Sequence, residues 1–364
     1  MSVLDPVALL RRAVETPSVS GEERQVAEFM VSQMQRFACQ ALIDEAGNAV
    51  CRVGRGPTRV VFLGHIDTAP GWLPVRIEHN ALWGRGAVDA KGSFCAAVVA
   101  ASRLGSEVLD QMELTLIGAV EEEAATSKGA RHAVRTQPTP QAAIIGEPSG
   151  WEGLTLGYKG RLVLNLTAAT ANFHSAGQGV TAAEAAATVW QRLQAYVTSY
   201  NRELTNDSEF ERLQASLQSF NTQSDGLLQQ AAVTVGFRLP PAIGPEALEA
   251  SLRSIIEPPD DPTRLRARFS GHERAYRAPK DNPLSRAFRQ AIRRRGGRPR
   301  FKVKTGTSDM NVVAPHWPVP MVAYGPGDST LDHSPHERLA IDEYLRACDV
   351  LQSAFETMAR RRDW

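Results

Sequence analysis

The sequence predicts an α/β protein: a catalytic domain with a mostly parallel, doubly wound sheet, interrupted by a smaller inserted α+β domain. Strand and helix patterns alternate before residue 156 and again after residue 280, which is typical of a sheet covered by helices on both faces. At 364 residues, the chain is also long for a single core. We therefore expect residues 1–156 and 274–364 to form the catalytic domain and 157–273 the insertion.

Helix and strand patterns follow one another through the first half of the chain. Apolar spacing predicts helices at 6–16 and 21–38, the second after Ser20-Gly21-Glu22-Glu23, which resembles a capping box. The continuous apolar run 58–63 is typical of a strand covered on both faces. Further predicted elements are strands at 41–45 and 49–53, a helix from Asp89 to 107, a strand at 112–120, a helix at 127–135 and a strand at 141–145.

The inserted domain has a different order of elements. Residues 161–168 alternate apolar and polar side chains as an antiparallel strand does. A helix is predicted at 181–199, strands at 214–222 and 230–239, a helix at 244–257 and a strand at 263–270. This order is that of a ferredoxin-like sandwich. A helix at 281–295, a strand at 318–324 and a helix at 342–361 then return to the catalytic domain.

Composition is that of an ordinary globular protein, with 43% hydrophobic and 22% charged residues. A net charge of +1 favours neither nucleic acid nor a membrane as a partner. No apolar run is long enough to span a bilayer, and the first residues lack the pattern of a signal peptide. Cys39, Cys51, Cys95 and Cys348 show no CxxC spacing, so we expect thiols in a reducing compartment. A cytoplasmic protein is expected.

Several predicted strands end at a residue that could bind metal. His65 and Glu147 each follow a strand, the triplet Glu121–Glu123 follows another, and His333 comes a few residues after the strand that ends at Tyr324. In open α/β sheets, ligands bind beyond the carboxyl ends of the strands. Asp89 follows a glycine-containing turn and, taken alone, could be only a helix cap. The recurrence of such endings favours one shared site that includes Asp89.

Electrostatics favours a cation at this site. Several carboxylates close together repel one another and have raised pKa values unless a cation is present. Histidine and carboxylate ligands without thiolate suit zinc, cobalt or manganese. Five ligands are too many for one open tetrahedral site, but they suit two metals about 3.5–4 Å apart that share a bridging carboxylate. The sequence therefore predicts two divalent metal ions.

Five motifs carry a resemblance to a known family: Gly64-His65-Ile66-Asp67, Gly84-Arg85-Gly86-Ala87-Val88-Asp89-Ala90-Lys91-Gly92, Glu121-Glu122-Glu123, Gly146-Glu147-Pro148-Ser149 and Asp332-His333-Ser334-Pro335-His336-Glu337. In this order and spacing they resemble the M20 family of di-metal aminoacylases and peptidases, over essentially the whole chain. The resemblance implies that the inserted domain is a lid and dimerisation domain and that the protein is a homodimer. It also implies two bound metals, zinc foremost and cobalt as the alternative.

The resemblance assigns roles to the motif residues. It implies that Asp89 bridges the metals, that a cis peptide follows it, and that Glu122 is the general base. His333 is favoured over His336 because the family places a glutamate four residues after its histidine. Glu121 stands where the family usually has aspartate. The implied metal ligands are His65, Asp89, Glu123, Glu147 and His333.

Other residues are candidates for orienting or binding. Asp67, two residues after His65, would orient its imidazole, although a solvent-facing turn is the alternative. His174 resembles the family's lid histidine, which polarises the scissile carbonyl; otherwise it is a surface histidine. Thr307 and Ser308 lie in a turn that could bind a substrate carboxylate, or that only caps a helix before Met310. Arg238 is a second candidate for a carboxylate.

The expected reaction is amide hydrolysis, in which Glu122 takes a proton from water. Within the family, the chain most resembles hydrolases that release lysine or ornithine from the C-terminal γ-glutamyl group of a small acidic amino-group carrier protein. A basic run could receive that carrier or could be only a solvated surface: Arg293, Arg294, Arg295, Arg298, Arg300, Lys302 and Lys304. Alternatives are a small-molecule deacylase of the acetylornithine or succinyl-diaminopimelate type, a dipeptidase, and a metal-binding protein without activity.

Overall fold

The structure is a computed structural model that describes residues 4–37, 40–174, 176–177, 179–206, 208–256 and 264–361. Its helices are α1 Pro6–Glu15, α2 Arg24–Met34, α3 Lys91–Ser102, α4 Ser106–Leu109, α5 Lys128–Thr136, α6 Ala182–Arg202, α7 Pro245–Ile256, α8 Pro283–Arg294, α9 Asp309–Val313 and α10 Ile341–Ala359. Short 3₁₀ turns cover Gln35–Phe37 and Ser329–Leu331.

The strands follow the same alternation. They are β1 Gln40–Ile43, β2 Ala49–Val53, β3 Thr58–His65, β4 Arg76–Glu78, β5 Ala81–Trp83, β6 Met112–Ala119, β7 Ala142–Gly146, β8 Gly153–Tyr158, β9 Gly160–Ala171, β10 Gln214–Ser224, β11 Leu228–Leu239, β12 Arg264–Glu273, β13 Tyr276–Arg277, β14 Arg300–Lys304, β15 Met321–Ala323 and β16 Arg338–Ala340.

The chain forms two compact units. The first comprises Met1–Gly157, Ala278–Val303 and Ser308–Trp364, and the second comprises Tyr158–Arg277 and Lys304–Thr307. In the first unit, the strands run in the order β1–β2–β6–β3–β7–β15–β8. The central strands β6, β3, β7 and β15 are parallel to their neighbours in this group. The predicted mostly parallel α/β fold is confirmed.

The core of the first unit explains why α3 has no polar face. Every residue from Lys91 to Ala101 is buried, since the helix packs against β3, α1 and α10. The buried ammonium group of Lys91 is hydrogen-bonded within the protein: Nζ donates to the carbonyl oxygens of Ala13 and Thr16 at 3.1 and 2.8 Å. These bonds tie the start of α3 to the end of α1.

The second unit is an antiparallel sheet with the order β10–β11–β9–β12. Its elements follow the predicted order strand, helix, strand, strand, helix, strand. The apolar side chains that alternate along β9, including Leu162, Leu164 and Leu166, are buried against α6 and α7. The second unit is therefore the ferredoxin-like sandwich that the order of elements in the sequence predicts.

Two local expectations were wrong. Ser20 does not cap α2, which begins at Arg24; the Ser20 hydroxyl instead donates to Asp67. The cysteines were expected to be unpaired thiols, but Cys51 is disulfide-bonded. Cys95 and Cys348 are free thiols, as expected, and both are buried; Cys39 lies outside the described residues. Among the helices that the structure describes, none has both the length and the hydrophobicity that a bilayer span needs.

Candidate metal centre

Strand register brings three of the predicted motifs to one edge of the sheet. His65, the last residue of β3, pairs with Ala119 of β6, and Gly64 pairs with Gly146 of β7. Because these strands are parallel, the residues that follow them leave the sheet at the same edge. The segment Glu121–Glu123 and the buried Glu147 therefore follow strands that end beside His65.

Asp89 faces two histidines that are distant in sequence. One carboxylate oxygen lies 3.3 Å from Nε2 of His65, and the other lies 3.1 Å from Nε2 of His333. Asp89 does not cap α3, whose N-cap is Ala90 and has no side-chain capping bond. The Asp89–Ala90 peptide is cis, as the family resemblance implied. Each carboxylate oxygen thus has its own imidazole, which is the geometry that a bridging carboxylate needs.

His333 also reaches the acidic triplet. Its Nε2 lies 2.8 Å from Oε1 of Glu123, although both His333 and His336 are exposed to solvent. One ligand atom each from His65, Asp89 and Glu123 lie within 4.8 Å of one another. These nitrogen and carboxylate donors fit a divalent cation of the zinc or cobalt type. Glu147 is not part of this group in the described residues, and it stays a proposed ligand.

The charges of the site also favour a bound cation. Hydrogen bonds to Asp89 and Glu123 raise the pKa of His333 to about 10. Burial lowers the pKa of His65, but its bonds to Asp67 and Asp89 outweigh this and raise the net pKa well above the ordinary value. Burial raises the pKa of Asp89, and the two histidines reverse this and lower it. The imidazole protons thus supply the positive charge between carboxylates that a bound cation would supply instead.

Asp67 connects the first histidine to the acidic triplet. It is fully buried, and its Oδ1 lies 3.4 Å from Nδ1 of His65. Its two oxygens accept the backbone N–H groups of Glu122 and Glu123 at 3.1 and 3.0 Å, and the Ser20 hydroxyl donates to it at 2.7 Å. The alternative of a solvent-facing turn is therefore wrong. Asp67 holds both the imidazole and the backbone of the predicted base.

Glu122 lies in an environment that makes its carboxyl group more basic. Burial raises its pKa well above the usual value, the charge of His65 opposes this, and Glu147, Asp309 and Glu123 raise it further. Asp309, at the start of α9, is itself buried. A carboxylate with a raised pKa among other acids suits a group that accepts and returns a proton near neutral pH.

Glu337 and Arg85 are site residues whose roles the sequence did not reveal. The fully buried Glu337 accepts the backbone N–H groups of Val88 and Asp89 at 3.0 and 3.2 Å and an N–H of Arg85 at 2.8 Å. Pairing of β16 with β5 brings these segments together. Only the spacing of His333 and Glu337 indicated that the glutamate was relevant.

Glu121 contacts the loop that leads to α5. Its carboxylate accepts the Thr126 hydroxyl at 2.7 Å and lies 3.4 Å from Nζ of Lys128. Its backbone is in the left-handed region, with φ of 57°. Where the family resemblance places an aspartate, this chain thus has a glutamate whose carboxylate is bound by Thr126 and Lys128.

The remaining candidates are divided between the two units. In the second unit, Arg238 donates to the Thr307 hydroxyl at 2.7 Å, and that hydroxyl donates to the Lys159 carbonyl at 3.1 Å. His174 is exposed in the loop after β9 of the same unit. In the first unit, Ser308 is the N-cap of α9, and its Oγ accepts the N–H of Met310 at 3.2 Å. For Ser308, this is the capping role that the sequence left open.

The fold and the donor group define a metal-dependent hydrolase with a small α+β unit inserted in an α/β unit. The chain belongs to peptidase family M20/M25/M40, whose model matches residues 61–357. It is 52% identical to a LysW-lysine hydrolase of Deinococcus radiodurans, over 95% of both chains. It is 25% identical to a LysW-lysine/LysW-ornithine hydrolase of Sulfurisphaera tokodaii, over 96% of this chain and 94% of the relative.

Solved structures share the fold. An M20 family metallo-carboxypeptidase from Sulfolobus solfataricus matches with a TM-score of 0.80 at 17% identity, over 98% of this chain and 100% of that one. A tripeptidase from Staphylococcus aureus matches with a TM-score of 0.80 at 14% identity, over 99% of this chain and 100% of that one. At these identities, the match concerns the fold alone.

Proposed function

We propose that this chain is a hydrolase that releases lysine from the C-terminal γ-glutamyl group of a LysW-type carrier protein in amino-acid biosynthesis. The supporting observation is the 52% identity to a LysW-lysine hydrolase over 95% of both chains. Relatives named for both LysW-lysine and LysW-ornithine are more distant, at 25% to 37% identity. Lysine is therefore the favoured product, and ornithine is the second to test.

The proposed site would hold two divalent cations through His65, Asp89, Glu123, Glu147 and His333, zinc foremost and cobalt as the alternative. When bound, such cations lower the pKa of a water and polarise a carbonyl group. Glu122 removes the proton of the attacking water and returns it to the departing amine of lysine. Its buried position among other acids supports this role, because the carboxyl group can carry the proton between the two steps.

The second unit would bind and polarise the substrate. Arg238 and Thr307 are held together by a 2.7 Å hydrogen bond, and a guanidinium beside a hydroxyl is suited to a carboxylate. We assign them to a carboxylate of the substrate. Ser308, also predicted for this role, has its hydroxyl oxygen committed to Met310 and is the weaker candidate. His174 is exposed and would donate to the oxyanion that develops from the scissile carbonyl.

The carrier would dock on the basic run. Six of its seven residues, from Arg293 to Lys302, are exposed, whereas Lys304 is half-buried. Arg295 lies 3.3 Å from Asp349, and Lys302 donates to the Ser149 carbonyl at 2.7 Å, two residues from Glu147. A basic surface that reaches this close to the proposed site supports docking of an acidic carrier.

A substrate panel tests the proposal. Purified enzyme with zinc or cobalt is given carrier-linked lysine, carrier-linked ornithine, γ-glutamyl-lysine, N-acetyl-ornithine and N-succinyl-diaminopimelate. Release of lysine from the carrier, faster than cleavage of every small amide, is the expected result. Preferential cleavage of an acetylated or succinylated amino acid would replace the proposal with a small-molecule deacylase, and no cleavage with metal bound would indicate a metal-binding protein without activity.

Docking has its own test. Charge reversal at Arg294 and Arg298 should raise KM for carrier-linked lysine and leave cleavage of γ-glutamyl-lysine unchanged. Reversal of Arg135, an exposed arginine on α5, is the matched control. Added salt should weaken only the carrier reaction, because screening shortens the reach of surface charges to about 8–10 Å. An equal response of both substrates to salt would contradict docking on this surface.

Assembly and location follow from the same proposal. We propose a homodimer that forms through the second unit, where the edge strand β10 exposes Leu217 and Phe220, and the turn after it and the start of β11 expose Leu227 and Leu228. Light scattering would measure this, and a monomer at micromolar concentration would contradict it. An enzyme of amino-acid biosynthesis would act in the cytoplasm, as the sequence also predicted.

A further inference from the structure

Four consecutive backbone amides around the proposed base donate to side chains from outside their own strand. The N–H of Val120 donates to Oδ1 of Asn48 at 3.0 Å, and the N–H of Glu121 donates to Oε1 of Glu23 at 3.0 Å. The next two amides, of Glu122 and Glu123, donate to Asp67. Backbone amides that leave a sheet still need acceptors, and here the side chains of Asn48, Glu23 and Asp67 supply all four.

The segment needs support because its conformation is strained. Glu121 has φ of 57°, in the left-handed region that residues with a Cβ adopt at a cost in energy. Such a conformation persists where surrounding contacts determine it. Here Asn48 accepts the N–H of Val120, and Glu23 accepts the N–H of Glu121 itself. These two residues form the start of the turn that directs Glu122.

Both acceptors are themselves fixed. Asn48 is fully buried, and its amide group donates to Asp44 at 2.9 Å and to the carbonyl of Gly129 at 3.1 Å. It therefore binds the chain both before and after the Glu121–Glu123 segment. Glu23 is also buried, and the same Oε1 accepts the N–H of Gly21 at 2.9 Å.

From this geometry we infer that Glu23 and Asn48 are positioning residues for the general base: they fix the backbone of Val120 and Glu121 and so set where the Glu122 carboxylate lies. The inference rests on the proposed function of Glu122 and adds two residues to which neither the motifs nor the comparisons assign a role. Neither residue is among the proposed metal ligands. Their loss should therefore affect the proton transfer more than metal binding or substrate affinity.

Kinetics with matched variants tests this. Glu23→Gln keeps an oxygen acceptor in place. Glu23→Asp shortens the side chain by one methylene and so moves the acceptor away from the amide, and Glu23→Leu removes the acceptor. We expect Glu23→Asp, Glu23→Leu and Asn48→Leu to lower kcat by about 10- to 100-fold, with KM within about twofold and two metals retained, and Glu23→Gln to keep most of kcat. The same three changes at Glu22, an exposed neighbour, should have no effect.

Hydrogen exchange separates this inference from the proposed function. The amides of residues 120–123 should exchange faster in Glu23→Leu and Asn48→Leu than in the wild type, whether or not any substrate is cleaved. If wild-type enzyme cleaves nothing, the proposed function fails and the exchange result alone decides whether these residues hold the segment. Unchanged exchange, or a kcat within twofold of wild type in Glu23→Asp with metals bound, would overturn the inference. Glu23→Asp decides the question if Glu23→Leu does not fold.

Discussion

The carboxylate of Glu337 accepts the backbone N–H of Asp89 at 3.2 Å, although the two residues are 248 positions apart. The same carboxylate accepts the N–H of Val88 and pairs with Arg85. Glu337 also lies four residues after His333, whose imidazole meets the Asp89 side chain. One buried carboxylate thus fixes the distance between a backbone turn and a loop that each contribute a proposed ligand.

Glu337→Gln should weaken metal binding without unfolding the chain. The amide keeps an acceptor for the Val88 and Asp89 N–H groups but loses the charge that pairs with Arg85. Outer contacts of this kind typically contribute 10- to 100-fold to metal affinity, so about that loss is expected. Competition with a chelator, followed by metal analysis, measures it. Glu107→Gln, an exposed glutamate on α4, is the control, and equal affinities in both variants would contradict the role of Glu337.

Glu122→Gln should abolish most turnover and retain both metals. The amide has nearly the same shape as the carboxylate but cannot accept the water proton, and general-base catalysis typically contributes about 10²- to 10⁴-fold. Steady-state kinetics and metal content on the same sample check the two halves of this prediction. Near-normal kcat in the variant would exclude Glu122 as the base. A loss of metal together with activity would mean that Glu122 acts as a ligand instead.

Zinc should stabilise the folded chain, and the Asp89 carboxylate should be required for this. A ligand that binds only the folded state adds about 2.7 kcal/mol to the free energy of unfolding at 100 times its Kd. We expect the unfolding midpoint of the wild type to rise with added zinc and to return with chelator, and Asp89→Asn to respond much less. Asp342→Asn, at an exposed position of α10, should respond as the wild type does. A full zinc response in Asp89→Asn would argue against a bridging role.

Lys159 should make the second unit more stable as the pH rises above 8. Its side chain is buried and donates to the carbonyls of Glu209 and Arg212 and to Gln214. Burial lowers its pKa from 10.5 to about 8. Between these values, the unfolded chain binds the extra proton, so the free energy of unfolding rises with pH by about 3 kcal/mol in total from this residue. Below pH 8, the cost of burying the charge is present in full.

The difference between wild type and Lys159→Met isolates this contribution, since every other titrating group is common to both. Urea unfolding at about pH 7.5 and about pH 10 gives the two free energies for each protein. The wild type should gain more stability, or lose less, over this interval than the variant does. Parallel changes in the two proteins would show that the Lys159 ammonium is not destabilised by burial.

Local patterns were sufficient for much of the site. His65 and the triplet Glu121–Glu123 were predicted because apolar strands end just before them, and parallel pairing brings those two strand ends to the same edge of the sheet. The choice of Glu123 within the triplet came from the family resemblance. The preference for His333 over His336 stays a prediction, and the 3.1 Å contact of the His333 imidazole with Asp89 supports it. What the pattern could not provide was the set of groups that hold these side chains. Ser20, Glu23 and Asn48 look in sequence like ordinary turn and cap residues.

By itself, the sequence determined the two-part fold, the carboxylates and imidazoles of the proposed centre, and the family. Periodicity, strand ends and motif spacing are local properties, and each can be read within a short window of the chain. Only the tertiary structure decided that Glu337 reaches Asp89, that Glu23 reaches Glu121, and that Asn48 joins Val120 to Gly129. These are single hydrogen bonds between distant segments. Their partners are set by where the packed elements place each backbone, and no local pattern records this.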